Sequence, residues 1–289
     1  MSRAAAKTGS EPATLVAIEQ LFPENERVLT DLLQYSFLPW GTKILVGMLR
    51  PKFILNWMSG AADKIAPGLW GGLLCRKRYI DEKLNENMGK FEQAVNLGAG
   101  LDTHLYRLPG IEKIQAWELD QPENIELKRR TVTKALGKQP ENIKLVPIDF
   151  DTQNLGDVLR AAGYSVERPT FFIWEAVTQY LTEAGVHATF DFLAQAESGS
   201  LITFTYVTKK FLDGEDIPDW PDGYKRFVKT GVWLFGMEPE DWPGFLAEYG
   251  WKVIKDVGYP EMAEKYLKPA GRRLNADTNV ERMIFAVKE

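Results

Sequence analysis

Several things are scarce in this 289-residue chain. It has one cysteine, Cys75, so neither an intrachain disulfide nor a cysteine-based zinc cluster can form. It has two histidines, His104 and His187, too few for a multi-histidine metal site. It has no basic excess: 35 Lys and Arg stand against 40 Asp and Glu, a net charge of −5. Nonspecific nucleic-acid binding needs a basic footprint and is not expected. No stretch approaches the ~20 apolar residues of a membrane span. The most apolar region, 44–57, is interrupted by Arg50, Pro51 and Lys52. The first 14 residues are small and polar, without the apolar core of a signal peptide. These absences lead us to expect a cytoplasmic protein with a reduced thiol and no stable membrane insertion. The oligomeric state is not legible.

Hydrophobic residues make up 45% and charged residues 26%, enough for an ordinary globular core. Up to about residue 88 the pattern is helical: 13–22, 24–38, 42–49, 52–58 and 74–87 carry apolar residues at helical spacing, broken at Pro23, Pro39, Pro51 and Gly60. From residue 89 onward apolar runs alternate with helical segments. Strands are expected at 94–98, 113–119, 143–148, 170–174 and 201–207. Helices are expected at 124–136, 155–162 and 183–196, and two late strands at 252–257 and 282–287. Such alternation implies an α/β fold with a mostly parallel sheet of about seven strands and helices on both faces. We divide the chain into an N-terminal helical cap, 1–88, and an α/β domain, 89–289. The stretch 208–240 interrupts the alternation and is rich in Asp, Pro, Trp and Gly. It reads either as a substrate lid after the fifth strand or as a surface excursion packed by its own aromatics.

The first strand runs into Gly98, Ala99 and Gly100. Glycines at a strand-to-helix turn let the backbone bend sharply and approach a ligand. The next strand ends at Asp120, about 20 residues on, where an acid can accept from both ribose hydroxyls of an adenosine ligand. Glu118 is a less favoured alternative, further from the strand tip. Thr103 stands where a dinucleotide fingerprint would have its third glycine, and Asp102 adds an acid where a pyrophosphate would want a cation. A sulfonium or amino group suits that acid better, which favours S-adenosylmethionine over NAD. The third strand ends at Asp149 and Phe150. That pair can serve an adenine amine and ring face, or Asp149 can cap the following helix. The fourth ends at Glu175, a carboxylate that needs a partner or a cleft.

The runs from Ala94 to Leu108, Trp117 to Pro122, Lys128 to Arg130, Val146 to Phe150 and Trp174 to Leu181 resemble the leucine carboxyl methyltransferase family. Arg76 to Asp81 is similar to that family's basic segment. The family includes the enzyme that methylates the C-terminal leucine of protein phosphatase 2A and bacterial relatives acting on small molecules. The resemblance covers about 74–196 and leaves the first 70 residues unplaced. It implies a Rossmann-like class I methyltransferase fold with one antiparallel strand, S-adenosylmethionine as donor and no metal. It places Arg76 at the methionyl carboxylate and Gly98 beside the methionine portion, with Ala99 and Gly100 in the same cofactor-binding turn. Asp120 falls at the ribose, Asp149 and Phe150 at the adenine, Glu175 near the donor's amino group and Tyr180 close to the acceptor. His104 stands where relatives often carry Arg or Thr, and Ala176 where Gly or Cys is usual.

A carboxylate acceptor is ionised at pH 7 and needs only to be oriented. A hydroxyl needs a base, for which His104, His187 or Tyr180 can be tried; His104, in the helix of the glycine turn, is the better candidate by position, and His187 lies mid-helix in 183–196. Trp40, Phe53, Trp57 and Trp70 in the cap, with Trp220, Tyr224, Phe227, Trp233 and Phe235 in the insertion, would enclose a small, largely apolar acceptor if they close over the crevice. The segment 37–58 reads as core or lid in preference to a membrane-surface helix, because its basic content is slight (Lys43, Arg50, Lys52). The expected activity is therefore O-methylation of a small molecule. The alternatives are a protein C-terminal carboxyl methyltransferase, an NAD-dependent Rossmann enzyme, or a non-catalytic module that retained the crevice.

Overall fold

The computed structural model describes residues 10–65, 67–150, 152–217, 220–275 and 278–289. Residues 1–9, which carry most of the signal-peptide reading, lie outside them, as do 218–219 within the insertion. Five helices come first: α1 (Ser10–Glu19), α2 (Leu32–Phe37), α3 (Trp40–Met48), α4 (Lys52–Ile65) and α5 (Leu69–Glu86). The alternating part follows as β1 (Gln93–Leu97), α6 (His104–Arg107), β2 (Gln115–Asp120), α7 (Pro122–Leu136), β3 (Ile143–Pro147), α8 (Leu155–Ala161), β4 (Thr170–Trp174), α9 (Glu183–Leu193) and β5 (Leu201–Val207). Short helices α10 (Lys209–Asp213) and α11 (Pro221–Gly223) begin the insertion. The chain ends with α12 (Trp242–Glu248), β6 (Trp251–Gly258), α13 (Tyr259–Met262) and β7 (Glu281–Lys288).

All seven expected strands form: 170–174 and 201–207 with the expected bounds, the others displaced by one or two residues at an end. The single helix expected over 24–38 does not. A 3-10 turn at Glu24–Glu26 gives way to extended backbone at Arg27 (φ −83°, ψ 132°). Asp31 then caps α2, its carboxylate accepting from Gln34 N–H at 3.0 Å. In α4 the helix runs through Gly60 to Ile65, because a glycine with helical φ weakens a helix without ending it.

The strand order is β3-β2-β1-β4-β5-β7-β6. β1 pairs in parallel with both β2 and β4, and β7 runs antiparallel to β5 and β6. Successive residues face opposite sides of the sheet. Ala94, Ala116 and Phe171 join one buried cluster and Val95, Trp117 and Phe172 the other. The first cluster also holds Ala13, Val16 and Phe22, so the N-terminal helices pack into the sheet's own core. The sheet reverses direction of growth at β1, and the crevice beyond the carboxyl ends of β1 and β4 is where such folds bind ligands. Among the described residues no helix is long and apolar enough to cross a membrane.

Candidate active site

After β1 the backbone turns through Gly98 (φ 82°) and Gly100 (φ 42°), both in the left-handed region that disfavours side chains. A Cβ on Gly98 would collide with Val177 Cγ2, whereas one on Gly100 would meet open space. The turn is held from β2: Leu119 O accepts from the N–H groups of Gly98 and Ala99, both at 2.9 Å. Beneath it Lys128, fully buried, donates to Ala99 O at 3.2 Å and to Glu118 Oε1 at 2.7 Å. Glu118 thus supports the turn from behind and is spent on Lys128. Asp120, at the tip of β2, accepts from Gly100 N–H at 2.7 Å through Oδ2. Its Oδ1 accepts from Gln121 N–H (2.7 Å) and Asn124 Nδ2 (2.8 Å). A carboxylate has roughly four lone-pair sites, so capacity for a hydroxyl donor remains.

These residues border a cavity of about 250 Å³. Its floor is a buried charge network. Arg76 on α5 donates from Nε to Glu175 Oε1 (2.7 Å) and from Nη1 to both oxygens of Glu281 (3.0 Å each). Lys77 bridges Asp102 (3.0 Å) and Glu175 (3.1 Å). His104 lies behind, with Nδ1 2.5 Å from Asp81 Oδ1 and Nε2 3.3 Å from Asp102 Oδ1. Arg107 pairs with Asp81 (2.7 Å) and Asp31 (3.2 Å). Five carboxylates therefore meet four cations when His104 is protonated, and the surplus is negative.

The pKa shifts follow from this crowding. Burial works against charge on Arg76, Lys77, Asp81, Asp102, His104, Arg107 and Glu175, and the neighbours overrule it. At His104, Asp102 and Asp81 outweigh burial and raise the pKa to about 9. Lys77 and Arg76 overcome burial at Glu175 and hold it well below the usual carboxylate range. At Asp102, His104 and Lys77 do the same. Asp102, His104 and Glu175 lie close enough to suggest a metal site. A protonated imidazole has no free lone pair, and Lys77 already meets both acids, so this donor set does not suit a cation.

The opposite wall is apolar. Leu15 from α1, Leu69 and Leu73 from α5, and Trp220, Phe227 and Trp233 from the insertion line it. Phe227 stacks on Trp233 (centroids 4.7 Å, 8°) and Tyr180 meets Trp233 edge-on (6.4 Å, 89°). The insertion is thus both an aromatic cluster in its own right and a wall of the cavity.

Of the residues singled out from sequence, Arg76, Gly98, Ala99, Gly100, Asp120, Glu175 and Tyr180 line the cavity. His104 does not: it is fully buried under the floor, which with its raised pKa takes it out of the role of base. Asp149 and Phe150 also lie outside the lining. Asp149 Oδ2 accepts from Thr152 Oγ1 at 2.9 Å, and Phe150 packs against the core of the β3 side. The cap of α8 is Asn154, not Asp149. In the N-terminal cap, Trp70 is core and Trp40, Phe53 and Trp57 are exposed, so none of these forms the lid. Arg76, expected at a methionyl carboxylate, has two of its nitrogens held by Glu175 and Glu281. Sequence reasoning missed Glu281 and Tyr259, whose hydroxyl donates to Glu281. The signal for Glu281 was the antiparallel strand itself, which puts its first residue beside the last of β5 (Val207↔Glu281), at the crevice.

Comparison with known proteins agrees with this geometry. A model of the leucine carboxyl methyltransferase family matches residues 11–194. A protein of Mycobacteroides abscessus, named as an S-adenosyl-L-methionine-dependent methyltransferase, is 28% identical over 207 residues, 68% of this chain and 67% of its own length. A protein of the same name from Mycolicibacterium gilvum is 32% identical over 170 residues, 58% of this chain and 55% of its own. The chain thus spans between about half and two thirds of the length of these relatives. A crystal structure from Thermobifida fusca, titled as a methyltransferase, shares the fold at 15% identity with a TM-score of 0.57, covering 82% of this chain and 88% of that one. The fold is that of a class I methyltransferase, and the family match and named relatives place the chain among S-adenosylmethionine-dependent methyltransferases, with S-adenosylmethionine as cofactor. The chain belongs to the leucine carboxyl methyltransferase family. The family match begins at residue 11, well before the point where the sequence resemblance was legible.

Proposed function

We propose that the chain transfers the methyl group of S-adenosylmethionine to an oxygen of a small, largely apolar acceptor. The observation that carries this reading is the two-sided cavity. One side presents the glycine turn, Asp120 and Glu175; the other presents Leu69, Trp220, Phe227 and Trp233. Bound S-adenosylmethionine supplies a methyl group on a sulfonium, and transfer breaks a carbon–sulfur bond as a carbon–oxygen bond forms.

The protein's own part is positioning and exclusion of water. Asp120 serves a ribose, and the negative surplus of the floor favours a cationic donor. The aromatic wall holds the acceptor dry. No histidine stands among the described lining residues, which leaves Tyr180 as the candidate base that does line the cavity. A carboxylate needs no base, which supports a carboxylate acceptor, with Arg226 on the same wall to orient it.

The test is parallel calorimetric titration with S-adenosylmethionine, S-adenosylhomocysteine and NADH, then turnover on panels of apolar carboxylic acids and phenols. Micromolar binding of both adenosyl ligands without NADH, and methyl esters from the carboxylic panel, are expected. No adenosyl binding by folded, cofactor-free protein would sink the reading. Methyl ethers without esters would move the acceptor oxygen to a hydroxyl.

A further inference from the structure

The N-terminal helices hold a feature that the cavity does not use. On α3, Trp40, Ile44 and Met48 recur at helical spacing and all are exposed. On α4, Phe53 and Trp57 do the same. Trp40, Phe53 and Trp57 are 74%, 76% and 74% exposed. The opposite sides are ordinary: Val46, Leu55 and Ser59 are buried. Single exposed apolar residues need no explanation, but two consecutive helices that each turn a large apolar stripe outward mark an interaction surface.

Charge identifies the partner. Between residues 40 and 65 stand Lys43, Arg50, Lys52 and Lys64 against one acid, Asp63, in a chain whose net charge is −5. Lys52 pairs with Glu26 (3.0 Å) and Asp63 accepts from Asn275 N–H (3.0 Å). Arg50 and Lys64 are exposed. A two-fold contact with a second copy would set these cations against themselves. Aromatic residues on one side of a helix with Lys and Arg flanking them is the chemistry of a helix lying in an anionic lipid interface. With 14 residues, α4 reaches about 21 Å at ~1.5 Å per residue, short of the ~30 Å hydrocarbon core, so it can lie on a bilayer but not cross it. We infer that α3 and α4 form a peripheral docking surface for anionic membranes. The sequence alone ranked this low on its few cations. Lys64 lies beyond segment 37–58, and the exposure of the aromatics is not legible from sequence.

The test does not depend on the methyltransferase reading. Full-length protein is sedimented with large vesicles of phosphatidylcholine, with and without phosphatidylglycerol. We expect pelleting with the anionic vesicles that weakens several-fold on neutral ones and falls with salt. The double substitution Phe53→Ser with Trp57→Ser lowers the affinity at least tenfold. Arg50→Glu with Lys64→Glu keeps the apolar stripe and lowers it by more than roughly fivefold per site, since each cation near such a surface is worth about that factor. Both variants keep the wild-type urea midpoint and cofactor affinity, because none of the four side chains lines the cavity. Failure of the wild type to bind anionic vesicles overturns the inference. So does undiminished binding by the serine variant, or a wild-type dimer in light scattering that the serine substitutions dissociate.

Discussion

The Gly100 N–H donates to Asp120 Oδ2 at 2.7 Å, so the acid at the tip of β2 clamps the glycine turn of β1 while it faces the cavity. One carboxylate thereby sets the shape of the turn and presents an acceptor to the ligand.

Asp120→Ala removes both functions and orphans three donors. S-adenosylmethionine affinity should fall by about 2–4 kcal/mol, or roughly 30- to 1,000-fold, by calorimetry. An unchanged Kd takes Asp120 out of the site.

The two glycines of the turn should fail differently. Gly98→Ala forces a methyl group into Val177 at positive φ and should cost stability, about 1–3 kcal/mol in urea unfolding. Gly100→Ala points its methyl into open space and should lose cofactor affinity more than stability. Equal losses in both assays would show that the cavity beside Gly100 is not where the cofactor lies.

His104 makes stability depend on pH. Its folded pKa is raised from 6.5 to about 9, chiefly by Asp102 and Asp81 acting against burial. The stabilisation is fully present below pH 6.5 and is lost as pH rises through about 9, on the order of a few kcal/mol. Urea midpoints should decline over that window in the wild type and flatten in His104→Gln. A wild-type profile flat from pH 6.5 to 9 would show that His104 is not held protonated.

Ala176, which follows Glu175, has φ 55° and is the only non-glycine residue with positive φ among those described. Its N–H donates to Thr205 Oγ1 at 2.7 Å, which holds the strained turn. Ala176→Gly relieves the strain and should raise stability by about 0.5–1 kcal/mol net of glycine's unfolded-state entropy. Ala176→Val should lower both stability and cofactor affinity, and an improved midpoint in the valine variant would deny the strain.

Tyr180→Phe should keep cofactor affinity and lower turnover if the hydroxyl meets the acceptor. A fully active Phe variant leaves Tyr180 as packing against Trp233.

Much of this was legible because apolar runs ending in glycine or acid have few readings. β1 into Gly98, β2 into Asp120 and β4 into Glu175 were each placed from the residues alone. The reversal at β1 then brings all three to one crevice. What escaped was long-range. Arg76 looked available until Glu281, about 200 residues later, was seen beside it. His104 looked like a base until Asp81 and Asp102 surrounded it. Asp149 and Phe150 sat at the right strand end yet outside the cavity lining, because strand ends give position and not side-chain direction. The split of 24–38 depended on the Asp31 cap, which helical periodicity does not report.

The antiparallel course of β7 divides the molecule's chemistry between two parts of the chain. The family match stops at residue 194, and within it lie the glycine turn, Asp120, Glu175 and Arg76. Glu281 and the aromatic wall of Trp220, Phe227 and Trp233 come after it. Substitutions at Trp220, Phe227 and Trp233 can therefore reshape the apolar wall of the cavity while the glycine turn and Asp120 stay as they are.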